Sequence, residues 1–272
     1  MAKVKIGFVK LGALGITQVV DLLLDERAER DIDIRTVGTG AKMGKDEAGY
    51  AEKLMEWDPD LVVVVSPNAS LPGPKIAREA VKDTPCIVIS DGPTEKIKDG
   101  LAKEGFGYII LKGDPLIGAR REFLDPVEMT LFNTDALRVL TICGAVRLVQ
   151  EELDAAIEGV RQGNVKLPHI TAGAETVVDR AGFANPYARA KAMASYKMAE
   201  LVAEMNVQTC FVLREPPKYI MMGAAAHEVM RTAALLANEA REIEKGADSV
   251  SRKPHDDDGN ILSKRRLLDI PE

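Results

Sequence analysis

Lys10-Leu11-Gly12-Ala13-Leu14-Gly15 follows an apolar run and matches the dinucleotide fingerprint G-x-G-x-x-G, except that Lys10 stands at the first glycine position. Gly12 and Gly15 let a ligand approach the backbone, and the N-terminus of a helix after the loop favours an anion. A tight strand-to-helix turn accounts for the same residues equally well. An NAD site also needs a carboxylate about 20 residues further on to hold the ribose hydroxyls. The chain has Val37-Gly38-Thr39-Gly40-Ala41-Lys42 there, which disfavours NAD. NADP stays open through Lys42, which reads as readily as a solvated surface charge.

Other polar clusters follow later apolar runs. Ser66-Pro67-Asn68-Ala69-Ser70 and Ser90-Asp91-Gly92-Pro93 suit the edge of a heterocycle, although turn and capping chemistry explains each residue singly. Lys112-Gly113-Asp114-Pro115 and Arg120-Arg121 form a basic cluster that suits carboxylates or phosphates, with solvated charge as the even alternative. Asp135 and Arg138, at i and i+3, share a helix face. Asp135 is either a first-turn carboxylate favoured by the helix dipole or a group aimed into a cleft between sheet and helices. Sequence alone prefers the first.

Several chemistries fall away. His227-Glu228 begins H-E-x-x-H, but Arg231 replaces the second histidine, so the zinc-peptidase reading fails. The three histidines are too dispersed for a His-rich metal site, and His255 beside Asp256, Asp257 and Asp258 reads as an acidic turn. There is no G-x-S-x-G elbow, and after Gly7 and Gly12 the Walker positions hold Ala13 and Leu14. A receiver-type sensor would need an acidic pair after the first strand, where Lys10 stands.

The elements that must position these residues alternate. Residues 3–9, 33–37, 61–65, 86–89 and 107–111 read as strands, and 16–30, 45–56 and 94–103 as helices. Ser70 is expected to cap a further helix, with Pro72 in its first turn, running to about residue 81. The unbroken Leu61-Val62-Val63-Val64-Val65 calls for a central parallel strand covered on both faces. The fold class expected is α/β, an open doubly wound parallel sheet with an added helix bundle and a short C-terminal β segment. Bundle helices are expected at 134–162, ended by Gly163, at 186–205 and at 224–245. Extended segments are expected near 167–178 and 209–213, and a hairpin over 249–267 turning at Asp257-Asp258-Gly259-Asn260. The domains read as 1–125 (α/β, coenzyme-binding), 126–248 (helix bundle) and 249–272 (C-terminal segment).

The 272 residues are 46% hydrophobic and 29% charged, an ordinary globular composition that excludes disordered and fibrous classes. A net charge of -6 and 4% aromatics argue against nucleic-acid binding. With no long apolar span and no signal peptide, a cytoplasmic protein without membrane contact is expected. Cys86, Cys143 and Cys210 stand singly and are expected to be reduced, buried thiols.

Resemblance goes further than spacing. VKIGFVKLGALGITQVVDLLLDERAER, DPDLVVVVSPNASLPGPKIARE, ISDGPTEK, GYIILKGDPLIGARREFLDPVEM, KLPHITAGAETVVDRAGFANPYARAKA and RKPHDDDGNILSKRRLL resemble the coenzyme F420-dependent methylenetetrahydromethanopterin dehydrogenases of methanogenic archaea. These strings cover essentially the whole chain. The resemblance implies reversible hydride transfer between 5,10-methylenetetrahydromethanopterin and the deazaflavin F420, giving the methenyl cation and reduced F420, within methanogenesis from CO2. It implies a dissociable F420 with no metal and no flavin, bound in a cleft between an α/β domain and a helix bundle, and a homo-oligomer, a hexamer built from dimers. A carrier other than NAD explains the altered fingerprint and the missing ribose carboxylate. An NADP-dependent methylene-pterin dehydrogenase is the alternative. Asp135 is then the candidate to stabilise the pterin cation. Lys10, Gly12, Ala13, Gly15, Ser66, Pro67, Asn68, Asp91 and Gly92 are the candidates around F420, and Lys112, Arg120, Arg121 and Arg138 those for the substrate and the acidic tails.

Overall fold

The computed structural model describes residues 3–27, 31–115 and 125–272. In chain order the strands and α-helices are β1 (Val4–Lys10), β2 (Ile32–Gly38), α1 (Lys45–Ala48), α2 (Tyr50–Met55), β3 (Leu61–Ser66), α3 (Pro72–Ala80), β4 (Cys86–Ser90), α4 (Lys98–Lys103), β5 (Gly107–Leu111), α5 (Pro126–Cys143), α6 (Ala145–Arg161), β6 (His169–Ala172), α7 (Ala174–Ala181), α8 (Pro186–Val207) and α9 (Pro216–Gly246). The six strands form one sheet in the order β2-β1-β3-β4-β5-β6. The pairs from β2 through β5 are parallel. Tyr108 N–H donates to the Pro168 carbonyl and Lys112 N–H to that of Ala172, so β6 runs parallel beside β5.

β-branched runs make the central strands, and every residue of β3, β4 and β5 is buried. On one face Val62, Val64, Val88 and Ile110 pack with Ala48, Ala51, Leu54, Ala77 and Leu101 from α1 to α4. Their neighbours Val63, Val65, Ile87 and Ile89 are equally buried on the opposite face. Packing divides the chain into two units that interleave along the sequence. One comprises Met1–Leu111, Val149–Thr171 and Asp257–Asn260, the other Lys112–Leu148, Ala172–Asp256 and Ile261–Glu272.

Several expected elements change. The helix over 16–30 is replaced by two short 3-10 stretches, Ile16–Gln18 and Leu22–Arg27. The crowded Ile16-Thr17 and Val19-Val20 pairs resist a continuous α-helix, and Gly15 offers no capping side chain. The 45–56 helix breaks at Gly49. Ser70 does not cap α3; Leu71 holds that position, while Asn68 Oδ1 accepts both the Ser70 N–H and its hydroxyl. The long helix over 134–162 is α5 and α6, separated by Gly144 at φ +112°. A Cβ there would lie 2.3 Å from the Val177 carbonyl oxygen, so both the turn and the space demand glycine.

In the helical unit α9 packs against α8 and α5. Close approach is possible because the facing residues are small: Ala188, Ala192, Ser195 and Ala199 on α8, and Ala226, Ala233, Ala237 and Ala240 on α9. Ser195 Oγ donates to the Ala233 carbonyl at 2.7 Å, tying the two helices. The end of α8 widens into a π-helical turn, Gln208–Val212, where an extended segment was expected. Buried Glu244 accepts from the Asn185 N–H at 2.7 Å and the Ser249 hydroxyl at 2.6 Å, anchoring the start of the C-terminal segment. That segment keeps only two antiparallel bridges, Arg252 with Lys264 and His255 with Ile261.

Candidate active site

The chain passes from β1 outward to β2 and returns to β3 on the other side of β1, so the switch point of the sheet lies between β1 and β3. Ligands of open parallel sheets bind outside the carboxyl ends of the strands at this crevice. The two loops there are in contact: Leu11 N–H donates to the Val65 carbonyl at 2.9 Å, and a Cβ on Gly12, at φ +79°, would stand 2.9 Å from Pro67 Cδ. The β4 loop joins them. The Ser90 hydroxyl donates to the Ser66 carbonyl at 2.6 Å and lies 2.5 Å from the Thr94 hydroxyl, which accepts the Ala69 N–H at 2.8 Å. Asp91 is the N-cap of the 3-10 turn Gly92–Ile97, its Oδ1 accepting the Gly92 N–H. Gly12, Ser66, Pro67, Asn68, Asp91 and Gly92 therefore share one braced edge, with Lys10, Ala13 and Gly15 on the first of its loops.

The glycine loop spends much of its backbone within the protein. Three of its N–H groups turn inward: that of Leu11 as above, that of Gly12 to the Lys42 carbonyl at 2.9 Å and that of Leu14 to the Thr17 hydroxyl at 3.0 Å. The helix after it is a 3-10 turn of three residues, so the expected anion-binding helix N-terminus is absent there. Lys10 is paired with Asp21. Ser66 Oγ is buried and has no hydrogen-bond partner among the described residues, a rare state that a ligand atom would satisfy.

The helical unit has a pocket of its own, of about 270 Å³. With Asp125 as its N-cap, α5 starts at Pro126, eight residues earlier than the apolar stripe suggested, and Asp125 Oδ1 accepts the Glu128 N–H at 2.7 Å. Asp135 is therefore a mid-helix residue, and the first-turn dipole reading gives way. The pocket is lined by Glu128, Leu131, Phe132 and Asp135 from α5 and by Ala224, His227, Glu228 and Arg231 from α9. Each set is spaced i, i+3, i+4, i+7, one stripe of a helix. Arg138 Nη1 lies 3.3 Å from Asp135 Oδ1. Burial raises the Asp135 carboxyl above its usual range, against the pull of Arg138 and Arg231. The His227 imidazole stacks on the Phe132 ring at 4.4 Å between centroids and 17° between planes. Burial lowers its pKa, opposed by Glu228, and favours the neutral ring.

Lys112 follows β5 and is half-buried. Arg120 and Arg121 lie outside the described residues. Sequence reading missed the α9 wall, because His227-Glu228 was weighed only as half of a zinc motif. The signal was present: Asp-Pro at 125–126 marks a helix start, which puts Phe132 and Asp135 on one stripe. Among the described residues no cluster could hold a metal ion, and no helix is long and apolar enough to cross a membrane.

A doubly wound sheet with a braced switch-point edge defines an α/β protein of the coenzyme-binding class. Residues 4–272 match the family described as methylene-5,6,7,8-tetrahydromethanopterin dehydrogenase, and the chain belongs to that family. It is 56% identical over 271 residues to the F420-dependent methylenetetrahydromethanopterin dehydrogenase of Archaeoglobus fulgidus, covering 99% of both chains. It is 54% identical over 275 residues to that of Methanosarcina acetivorans, again covering 99% of each. A solved structure of F420-dependent methylene-tetrahydromethanopterin dehydrogenase, in complex with methylene-tetrahydromethanopterin and coenzyme F420, superimposes with a TM-score of 0.94 at 44% identity over all of both chains.

Proposed function

We propose that this chain transfers a hydride reversibly between the methylene carbon of 5,10-methylenetetrahydromethanopterin and coenzyme F420, yielding the methenyl cation and reduced F420. The observation that carries the reading is the 56% identity, over 99% of both chains, to an enzyme named for that reaction. The NADP alternative finds no support in these relatives, which are named for F420. The test is an anaerobic assay with methylenetetrahydromethanopterin that follows the bleaching of oxidised F420, beside reactions with NAD and NADP. Bleaching of F420 alone is expected; activity with NADP alone would overturn the assignment.

F420, when bound, supplies the ring carbon that accepts or returns the hydride. The residues present fit it: the switch-point edge offers small residues at Gly12 and Gly92, and the partnerless Ser66 Oγ suits a polar atom on the deazaflavin rim. Hydride transfer needs the two reacting carbons about 3–3.5 Å apart in a dry site, and demands neither nucleophile nor metal. The chain's part is to orient and to stabilise charge. Asp135 is assigned to the pterin: a half-buried carboxylate opposite a developing cation is stronger than one in water. Arg138 holds that carboxylate, and Lys112, Arg120 and Arg121 are assigned to the acidic tails. A cytoplasmic, homohexameric state belongs to the same reading. Exposed Leu268 and Ile270, 92% and 85% accessible in the single chain, are consistent with burial between copies. Light scattering on the purified protein tests the hexamer.

A further inference from the structure

We propose that Thr94 is a positioning residue for coenzyme binding: its buried hydroxyl holds both ends of the 66–69 loop and so sets the groups that this loop offers to F420. This rests on the reading that the switch-point edge receives F420. A chain of hydrogen bonds with a definite direction carries the argument. A backbone N–H only donates and a carbonyl only accepts, whereas a hydroxyl gives one proton and keeps two acceptor lone pairs. The Ser90 hydroxyl gives its proton to the Ser66 carbonyl at 2.6 Å, so in the 2.5 Å contact between the Ser90 and Thr94 hydroxyls the donor is Thr94. Thr94 Oγ1 in turn accepts the Ala69 N–H at 2.8 Å. The chain therefore runs from Ala69 through Thr94 and Ser90 to Ser66, and it closes the loop on itself. Ser66, Ala69, Ser90 and Thr94 are all fully buried. There an unmet donor is costly, and hydrogen bonds in a chain strengthen one another.

No ligand has to touch Thr94 for this to act. Thr94 stands on the 3-10 turn Gly92–Ile97, where its own N–H donates to the Asp91 carbonyl at 3.0 Å, so its place comes from the β4 loop and not from the loop it holds. The Ala69 carbonyl is fixed as well: Arg78, only 5% exposed, donates to it from Nη1 at 2.6 Å. Between the fixed ends Pro67 restricts the backbone, and Asn68 is half-buried. Asn68 Oδ1 is taken by the Ser70 N–H at 3.0 Å and the Ser70 hydroxyl at 2.6 Å, which leaves the amide N–H groups of Asn68 for a polar atom of the coenzyme. A hydrogen bond weakens steeply as its distance and angle drift, so a loop fastened at both ends keeps such a donor effective. Valine at position 94 would keep the shape of threonine and remove the acceptor. The Ala69 N–H would then be buried without a partner, and the loop would have to shift to find one.

The test measures F420 affinity by fluorescence quenching, and KM for F420 and for methylenetetrahydromethanopterin separately, on the whole chain. All are read well below the melting temperature, where a variant that is only less stable is still folded. Thr94→Val is expected to weaken F420 binding about tenfold and to change the pterin KM by less than about twofold. Thr94→Ser keeps the hydroxyl and is expected to bind F420 within about twofold of the wild type. Unchanged F420 affinity in Thr94→Val, an equal rise in both KM values, or a Thr94→Ser as weak as Thr94→Val overturns the proposal. If Thr94→Val does not fold, Ser90→Ala takes its place, because it removes the donor to the Ser66 carbonyl and leaves Thr94 on Ala69. A tenfold loss of F420 affinity there supports the proposal, and full affinity overturns it. Gly92→Leu separates the underlying reading: a Cβ on Gly92 meets nothing within 4 Å, so the new side chain fits the folded protein and stands on the edge itself. Full F420 affinity in that variant removes the reading and the proposal with it, whereas a loss there beside a silent Thr94→Val removes only the role of Thr94.

Discussion

Lys10 Nζ lies 2.7 Å from Oδ1 of Asp21, whose other oxygen accepts the Thr36 hydroxyl at 2.9 Å. The pair is 15% and 18% exposed, and it clasps the end of β1 to the neighbouring strand β2. The lysine thus has a structural occupation at the position where a dinucleotide fold keeps glycine. Asp21→Ala would leave the Lys10 ammonium largely buried without that carboxylate. The expected cost is about 1–3 kcal/mol in urea unfolding, with a raised KM for F420 because the Gly12 loop loses its brace.

Asp135→Asn keeps the shape of the side chain and removes its charge. Hydride transfer is expected to slow by about 10- to 1000-fold in kcat, the scale of losing one preorganised electrostatic group. Stability moves the opposite way. The folded carboxyl titrates above its ordinary 3.8, so ionising it costs stability as pH rises through the interval between that value and the raised one. At neutral pH the asparagine variant should therefore melt at or above the wild-type temperature, and the difference should vanish below pH 3.8.

Ser66→Ala removes a buried hydroxyl that has no partner among the described residues. Its thermal melt is expected to be unchanged or slightly raised, since no hydrogen bond is lost. F420 affinity, read by fluorescence quenching, should fall about tenfold, the scale of one ligand hydrogen bond. Full affinity would show that the deazaflavin does not reach this atom.

Burial pushes the Cys86 and Cys143 thiols up to about 12. At pH 8 both are therefore protonated and enclosed, and iodoacetamide on the native protein should leave them unmodified. Half-buried Cys210, on the widened turn after α8, is where any native labelling is expected by peptide mass spectrometry. Labelling of Cys143 would show that the α8 packing around it opens.

The sequence by itself determined the strands of the α/β unit, because Leu61 to Val65 and its counterparts are β-branched runs whose preference is local. It also placed the switch-point loops, since strand–helix alternation leaves few topologies, and long shared strings identified the family. Local signals failed where contacts distant in sequence decide. The loop after β1 carries glycines that read as a phosphate site, yet Lys42, Val65 and Thr17 take three of its N–H groups, and no spacing rule reveals those partners. Gly144 turns a continuous apolar stripe into two helices because of a backbone approach from Val177. The Asp135 pocket needed α9 to lie against α5, a pairing that no local pattern announces. Pattern reports which face of an element is apolar, and only packing of the whole chain decides what that face meets.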